Sequence, residues 1–169
     1  MDERNNVMIA VQVLKRRLVN NRLDVQLEEG YVNQLTFSFN GPATATELER
    51  LPKETPAAVR AWLTEQNGAK LFEDPEYGGA IELFSIDDIL EHRQLWDCPA
   101  RFLPIGAGRD GEWMVCEYIS ETDNRVWIGE FLSFDEEDAK LNRLPFNFSQ
   151  WLDYVIVAQG ASFWDWYRA

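Results

Sequence analysis

Gly106-Ala107-Gly108-Arg109-Asp110-Gly111 matches G-x-G-x-x-G, the pattern that cradles pyrophosphate in dinucleotide-binding proteins. That chemistry requires a strand to feed the glycines and a helix to open among them, so that its first amides point at the phosphates. Here the glycines lead into Glu112-Trp113-Met114-Val115-Cys116, a strand pattern, with too few residues for a βαβ crossover. The run reads instead as a glycine-rich turn between strands. No Walker lysine pattern is present. His92 is the one histidine, so any Ser-His-Asp or Cys-His arrangement must use it as base. It sits beside Glu91 and Arg93 after a capped helix start, which favours a surface or helix-end role. Cys98 follows six residues later without a local signature. Cys98 and Cys116 are too few for a disulfide framework or a four-ligand zinc site, and no EF-hand loop is present. A glycosidase-like carboxylate pair carries no signal, because 29 Asp and Glu place some pair near any spacing. The sequence therefore implies no cofactor, no metal and no catalytic residue.

The acids matter more as a field than as catalysts. The chain has 169 residues and a net charge of −13. Nine Lys/Arg balance nine Asp/Glu in residues 1–70, whereas residues 71–169 hold seven against twenty. Nucleic acid and anionic membrane surfaces are disfavoured as ligands, because both need clustered Lys and Arg. A basic protein partner would be attracted and steered. The candidate partner contacts are Asp87, Asp88 and Glu91, Asp110 and Glu112, and the run Asp135, Glu136, Glu137 and Asp138. Against that stands solvation alone: Asp87 and Asp88 also favour a helix start through its dipole, and 135–138 reads equally as a solvated loop.

Several elements must position these residues. Val7, Val11, Leu14 and Leu18 recur at helical spacing and predict a first helix over about residues 4–20, within an N-terminal segment of 1–22. Leu35, Phe37 and Phe39 alternate with Thr36 and Ser38 as in a strand over 34–39. Thr44 and Glu47 form a capping-box pattern that opens a short helix, which Pro52 stops. A second short helix takes Thr55 as N-cap, Pro56 as first residue and Gly68 beyond its end, with Val59, Trp62 and Leu63 buried. A strand is expected over 80–84, and Ser85 with Asp88 caps a helix over 86–93. Strands over 112–120 and 125–132 are joined at Thr122-Asp123-Asn124 into a hairpin. Asn147 caps the last helix, whose stripe is Phe148, Trp151, Leu152, Val155 and Ile156 and which Gly160 closes. The glycosylation sequon at Asn147 is thus read as a helix cap. The aromatic tail 163–167 is expected to dock on the domain.

This length with 46% hydrophobic residues predicts one domain over 1–169 with a sizeable core. The class is α+β, with a mixed or antiparallel sheet of about five or six strands. No apolar run reaches membrane-span length, and the N-terminus lacks signal-peptide character. A cytoplasmic location with reduced thiols is the expectation.

Taken in order, several segments resemble the Syd/Knr-type superfamily, called SUKH, whose members include yeast Smi- and Knr-like cell-wall regulators. The resemblance runs from Phe37-Ser38-Phe39-Asn40-Gly41-Pro42-Ala43-Thr44 with Glu47-Leu48, through Thr55-Pro56, Trp62-Leu63 and Asn67-Gly68, to Tyr77-Gly78-Gly79. It resumes at Leu103-Pro104-Ile105-Gly106 and Asn147-Phe148-Ser149-Gln150-Trp151-Leu152, covering about 35–167. The ending from Gln159 to Trp166 is similar to that of a Gram-positive bacterial branch. Val59 and Thr55 depart from the Tyr and Leu usual in the family, and the linker between the two short helices looks shortened. The resemblance implies an α+β domain acting as a non-enzymatic immunity protein. Such a protein binds a cognate polymorphic toxin domain, commonly a nuclease or deaminase, and blocks its active site. A regulatory scaffold of the Smi/Knr type is the alternative. As partner the resemblance implies a toxin domain, expected to be basic; the chain itself is expected to be a monomer or weak homodimer.

Overall fold

Capping chemistry places the helices. The computed structural model of the chain describes residues 2–27, 29–129, 134 and 141–167. Asp2 caps α1 (Glu3–Arg17) by accepting from the Arg4 amide, while Lys15, Arg16 and Arg17 complement the dipole at its other end. Its stripe of Val7, Ala10, Val11 and Leu14 is buried. The helix stops short of residue 20 because Asn20 and Asn21 adopt φ of 52° and 57°, a left-handed turn that feeds the first strand at Arg22. Capping boxes open α2 (Ala45–Glu49) with Thr44 and Glu47, and α4 (Ile86–Leu95) with Ser85 and Asp88. A third opens α5 (Phe148–Val157) with Asn147 and Gln150. At α3 (Ala57–Glu65) the N-cap is Pro56, one residue later than expected. The Thr55 hydroxyl is already engaged, donating to Pro52 O at 2.7 Å.

Among the described residues, eight strands form one antiparallel sheet, each beside its neighbour in sequence. They are β1 (Arg22–Gln26), β2 (Val32–Phe39), β3 (Ala69–Glu73), β4 (Ile81–Leu83), β5 (Phe102–Ala107), β6 (Trp113–Ser120), β7 (Asp123–Gly129) and β8 (Leu141–Arg143). The expected α+β class holds, but the expected five or six strands are too few. The β6–β7 reversal sits at Glu121-Thr122, so Asp123 and Asn124 belong to β7 rather than to the turn. Of the expected strand over 125–132, residues 130–132 lie outside the described residues.

Period-two alternation divides the sheet into two faces. One carries Val25, Leu35, Phe37, Leu71, Ile81, Leu83, Leu103, Ile105, Met114, Cys116, Val126 and Ile128. These pack in one core with the buried sides of α1, α3 and α5. The tail joins that core through Phe163 and Trp164, in a short 3₁₀ turn (Phe163–Tyr167), while Trp166 stays exposed. The opposite face over β5–β8 holds a smaller cluster of Phe102, Val115 and Leu141, covered by Trp96, Cys98, Trp127 and Phe134.

Asn124 joins the layers from inside. Its amide nitrogen lies 3.1 and 3.2 Å from the two Glu3 carboxylate oxygens at the start of α1. Its oxygen accepts from the Phe148 amide at the start of α5, 2.8 Å away. Replacing Asn124 with Ala would leave a half-buried carboxylate and a buried helix-start amide without their partner. The expected loss is about 3 kcal/mol, or a Tm lower by roughly 6–12 °C for a domain of this size. Urea and calorimetric unfolding of the variant check this.

Candidate functional site

The glycine-rich run is a strand–turn–strand. β5 ends at Ala107 and β6 begins at Trp113; between them Gly108 N donates to Glu112 O at 2.9 Å and Gly111 N to Gly108 O at 3.1 Å. Each glycine has a steric reason. A Cβ on Gly106 would collide with Glu82 O of the adjacent strand, one on Gly108 with the Glu112 carboxylate, and Gly111 has φ +83°. No helix starts among them, which removes the amide array that pyrophosphate needs.

Arg109, at the tip of this turn, reaches across to β3. Its Nη2 donates to Phe72 O at 2.8 Å. Burial lowers the guanidinium's pKa, against the pull of Asp74 and Asp110. Phe72 has φ 53° at a bulge where β2 pairing skips between Thr36 and Ser38, and its ring meets Phe37 edge-on at 4.8 Å. Directly after the bulge comes the β3–β4 loop. The Asp74 carboxylate accepts from the amides of Glu76 (2.9 Å) and Tyr77 (3.1 Å), and Gly78 N donates to Asp74 O at 2.9 Å. The Tyr77 and Glu76 amides hold the Asp74 carboxyl below its ordinary pKa. The loop leaves the Tyr77 side chain projecting at 82% exposure. Gly79 lies against Arg109, so the loop meets the β5–β6 turn in one rim that carries Asp74, Glu76, Tyr77 and Asp110, with the half-buried Arg109 guanidinium between Asp74 and Asp110.

The structure separates the sequence-predicted contacts. Asp110 is exposed in this rim. Glu112 is not a surface contact: it is 4% exposed and turns its carboxylate inward to accept from Asp110 N at 3.0 Å. Asp87 and Glu91 are exposed on α4, which starts at the other end of β4, where Ile86 N donates to the Asn67 side chain. Asp87 pairs with Arg50 of α2 at 2.7 Å. Asp88 is half-buried and accepts from Ser85 Oγ at 2.7 Å, a capping role. Asp135, Glu136, Glu137 and Asp138 lie outside the described residues. Asp74, Glu76 and Tyr77 are not among the sequence-predicted residues; their signal is the turn-forming composition of Asp74-Pro75-Glu76-Tyr77-Gly78-Gly79 between two strands.

The residues with nucleophilic or basic chemistry are occupied by packing. The His92 ring stacks on Phe84 with centroids 4.2 Å apart, and Nδ1 is 2.7 Å from Asp88 O. Trp96 meets His92 edge-on and stacks flat on Trp113 at 3.8 Å. Burial pushes the Cys98 thiol up to about 12 and raises that of Cys116 well above its usual value. Glu117, mostly buried, accepts from Trp127 Nε1 at 2.8 Å and pairs with Arg143 at 3.3 Å and Arg101 at 3.8 Å. Among the described residues, no three His, Cys, Asp or Glu are grouped to hold a metal ion. No helix among them is long and apolar enough to cross a membrane.

No protein-family model matches the chain. Over 151 residues it is 34% identical to the uncharacterized protein YobM of Bacillus subtilis (strain 168), covering 82% of this chain and 79% of YobM. The chain belongs to the YobM family. It is also 26% identical over 137 residues to the uncharacterized protein YnaB of the same strain, covering 77% of this chain and 88% of YnaB. For this member of the YobM family the thiols offer a direct check on the packing. A Cys98 pKa of about 12 leaves roughly a thousandfold less thiolate at pH 8 than a free cysteine has. Native protein should therefore react with a disulfide reagent orders of magnitude more slowly than denatured protein, with the rate rising about tenfold per pH unit up to pH 10.

Proposed function

We propose that the chain is a SUKH-like, non-enzymatic immunity protein of the cytosol. In this reading it binds a cognate toxin domain, a basic nuclease, and neutralises it without cofactor or metal. The observation that carries the reading is the rim that bears Tyr77. Glu76 and Asp110 are exposed there and form no ion pair with a described residue, and Tyr77 is of a type enriched in binding hot spots. A nuclease presents a cationic substrate cleft, and exposed carboxylates near an exposed aromatic complement such a cleft in charge. Asp87 and Glu91 extend the negative field along α4. The packing of His92 and both cysteines supports binding over nucleophilic catalysis.

The test is co-expression with the C-terminal domain of the product of the neighbouring upstream gene. Toxicity of that domain alone, relieved by this chain within a co-purifying complex, is the expected result. A harmless neighbour, or a toxic one neither bound nor neutralised, turns the assignment to the regulatory scaffold. Within the complex, Tyr77→Ala is expected to weaken binding about 30-fold or more through the dissociation rate. Glu76→Gln with Asp110→Asn should instead lower an association rate on the order of 10⁸ M⁻¹s⁻¹ and flatten its salt dependence, both read by stopped-flow mixing.

A further inference from the structure

α1 and α5 lie side by side and run the same way, since Glu3 and Phe148, at their starts, share Asn124 as partner. Between them runs an open groove of about 450 Å³, lined by Ile9, Val13 and Arg17 of α1 and by Asp153, Ile156 and Val157 of α5, among others. Its apolar rim is solvent-facing: Ile9 is 50% exposed, Val13 46% and Val157 71%. Nothing in the core requires this, because α1 already buries Val7, Ala10, Val11 and Leu14 on its other side.

We propose that this groove is the contact between two copies of the chain, related by a two-fold axis. Charge favours the second copy in two ways. The charged residues lining the groove are Arg17 and Asp153, one of each sign, so this face carries none of the acidic excess that would repel an identical molecule elsewhere. Along the groove, Val13 and Val157 lie between Asp153 toward one end and Arg17 at the other. Neither Asp153 nor Arg17 makes an ion pair with another described residue. A two-fold axis over Val13 brings each copy's Arg17 against the other's Asp153 and covers the apolar rims with each other, a self-complementary contact. The rim that bears Tyr77 is formed by the β3–β4 and β5–β6 connections and takes no part, so the contact is independent of the toxin-binding reading.

Sedimentation of the full chain at about 0.15 M salt tests the proposal, since at that ionic strength the Debye length is about 8 Å and long-range repulsion is screened. The expected result is a shift from monomer to dimer mass between about 1 and 300 µM, a dissociation constant in the micromolar range. Val13→Glu should hold the chain monomeric throughout, with Val157→Lys as a second variant should the first perturb folding by circular dichroism. Arg17→Glu should weaken the dimer about tenfold or more, and Arg17→Glu with Asp153→Arg should restore it. A wild type monomeric at about 300 µM, which would leave the groove to a different protein, overturns the proposal. So does a dimer that survives both valine variants, or a double swap as weak as Arg17→Glu.

Discussion

One buried amide group holds together what the sequence keeps apart. Asn124 has one acceptor and two donor hydrogens, and its partners come from β6, α1 and α5. Glu3 meets the amide there, and the unsatisfied Phe148 N–H at the start of α5 is capped by its oxygen. The Cys116 thiol, 3.5 Å away, fills the remaining side. Because both helices begin at this point, their packing on the sheet follows from it. Gln66 plays a lesser version of the same part: buried, it donates to Trp62 O and accepts from Lys15, whose ammonium also lies 4.7 Å from the centre of the Phe39 ring.

The two faces of the sheet explain why potential catalytic groups are absorbed into structure. The face under α1, α3 and α5 takes mostly aliphatic side chains, whereas the other is rich in aromatic ones over β5–β7. Phe84, His92, Trp96 and Trp113 form one continuous stack there, and Phe102 with Trp127 continues it edge-on. A histidine held in such a stack has one ring nitrogen on a backbone carbonyl and its face against carbon. Cys98, beneath the same layer, is kept protonated by its surroundings. What remains exposed and charged lies in the connections between strands, where recognition surfaces are commonly carried.

Much of the fold was legible because local chemistry and tertiary structure agree. Thr44, Ser85 and Asn147 each announce a helix with its capping partner three residues on, and all three boxes form. The four strands that escaped notice have physical reasons. β8 has three residues; β3 is interrupted by the bulge at Phe72; β5 reads as an apolar run broken by Pro104 and Gly106; β1 buries only Val25 and so shows no alternation to read. At the site, residue type alone could not tell Asp110 from Glu112. Only the fold of the turn, which brings the Glu112 carboxylate under its own backbone, puts one in solvent and the other inside. Asp88 illustrates the same limit: the capping pattern read from the sequence is what removes it from the free surface.

The order of the strands has a consequence for synthesis. Each strand pairs with the one made immediately before it, so the sheet can grow by hairpin addition as the chain leaves the ribosome, with little loop to close at each step. The first helix is the exception. Its anchor lies 121 residues downstream, and the neighbour whose start shares that anchor is α5. The segment that emerges first therefore meets α3 early but completes its packing only once α5 has been made, and until then the side it turns to α5 stays open to chaperones.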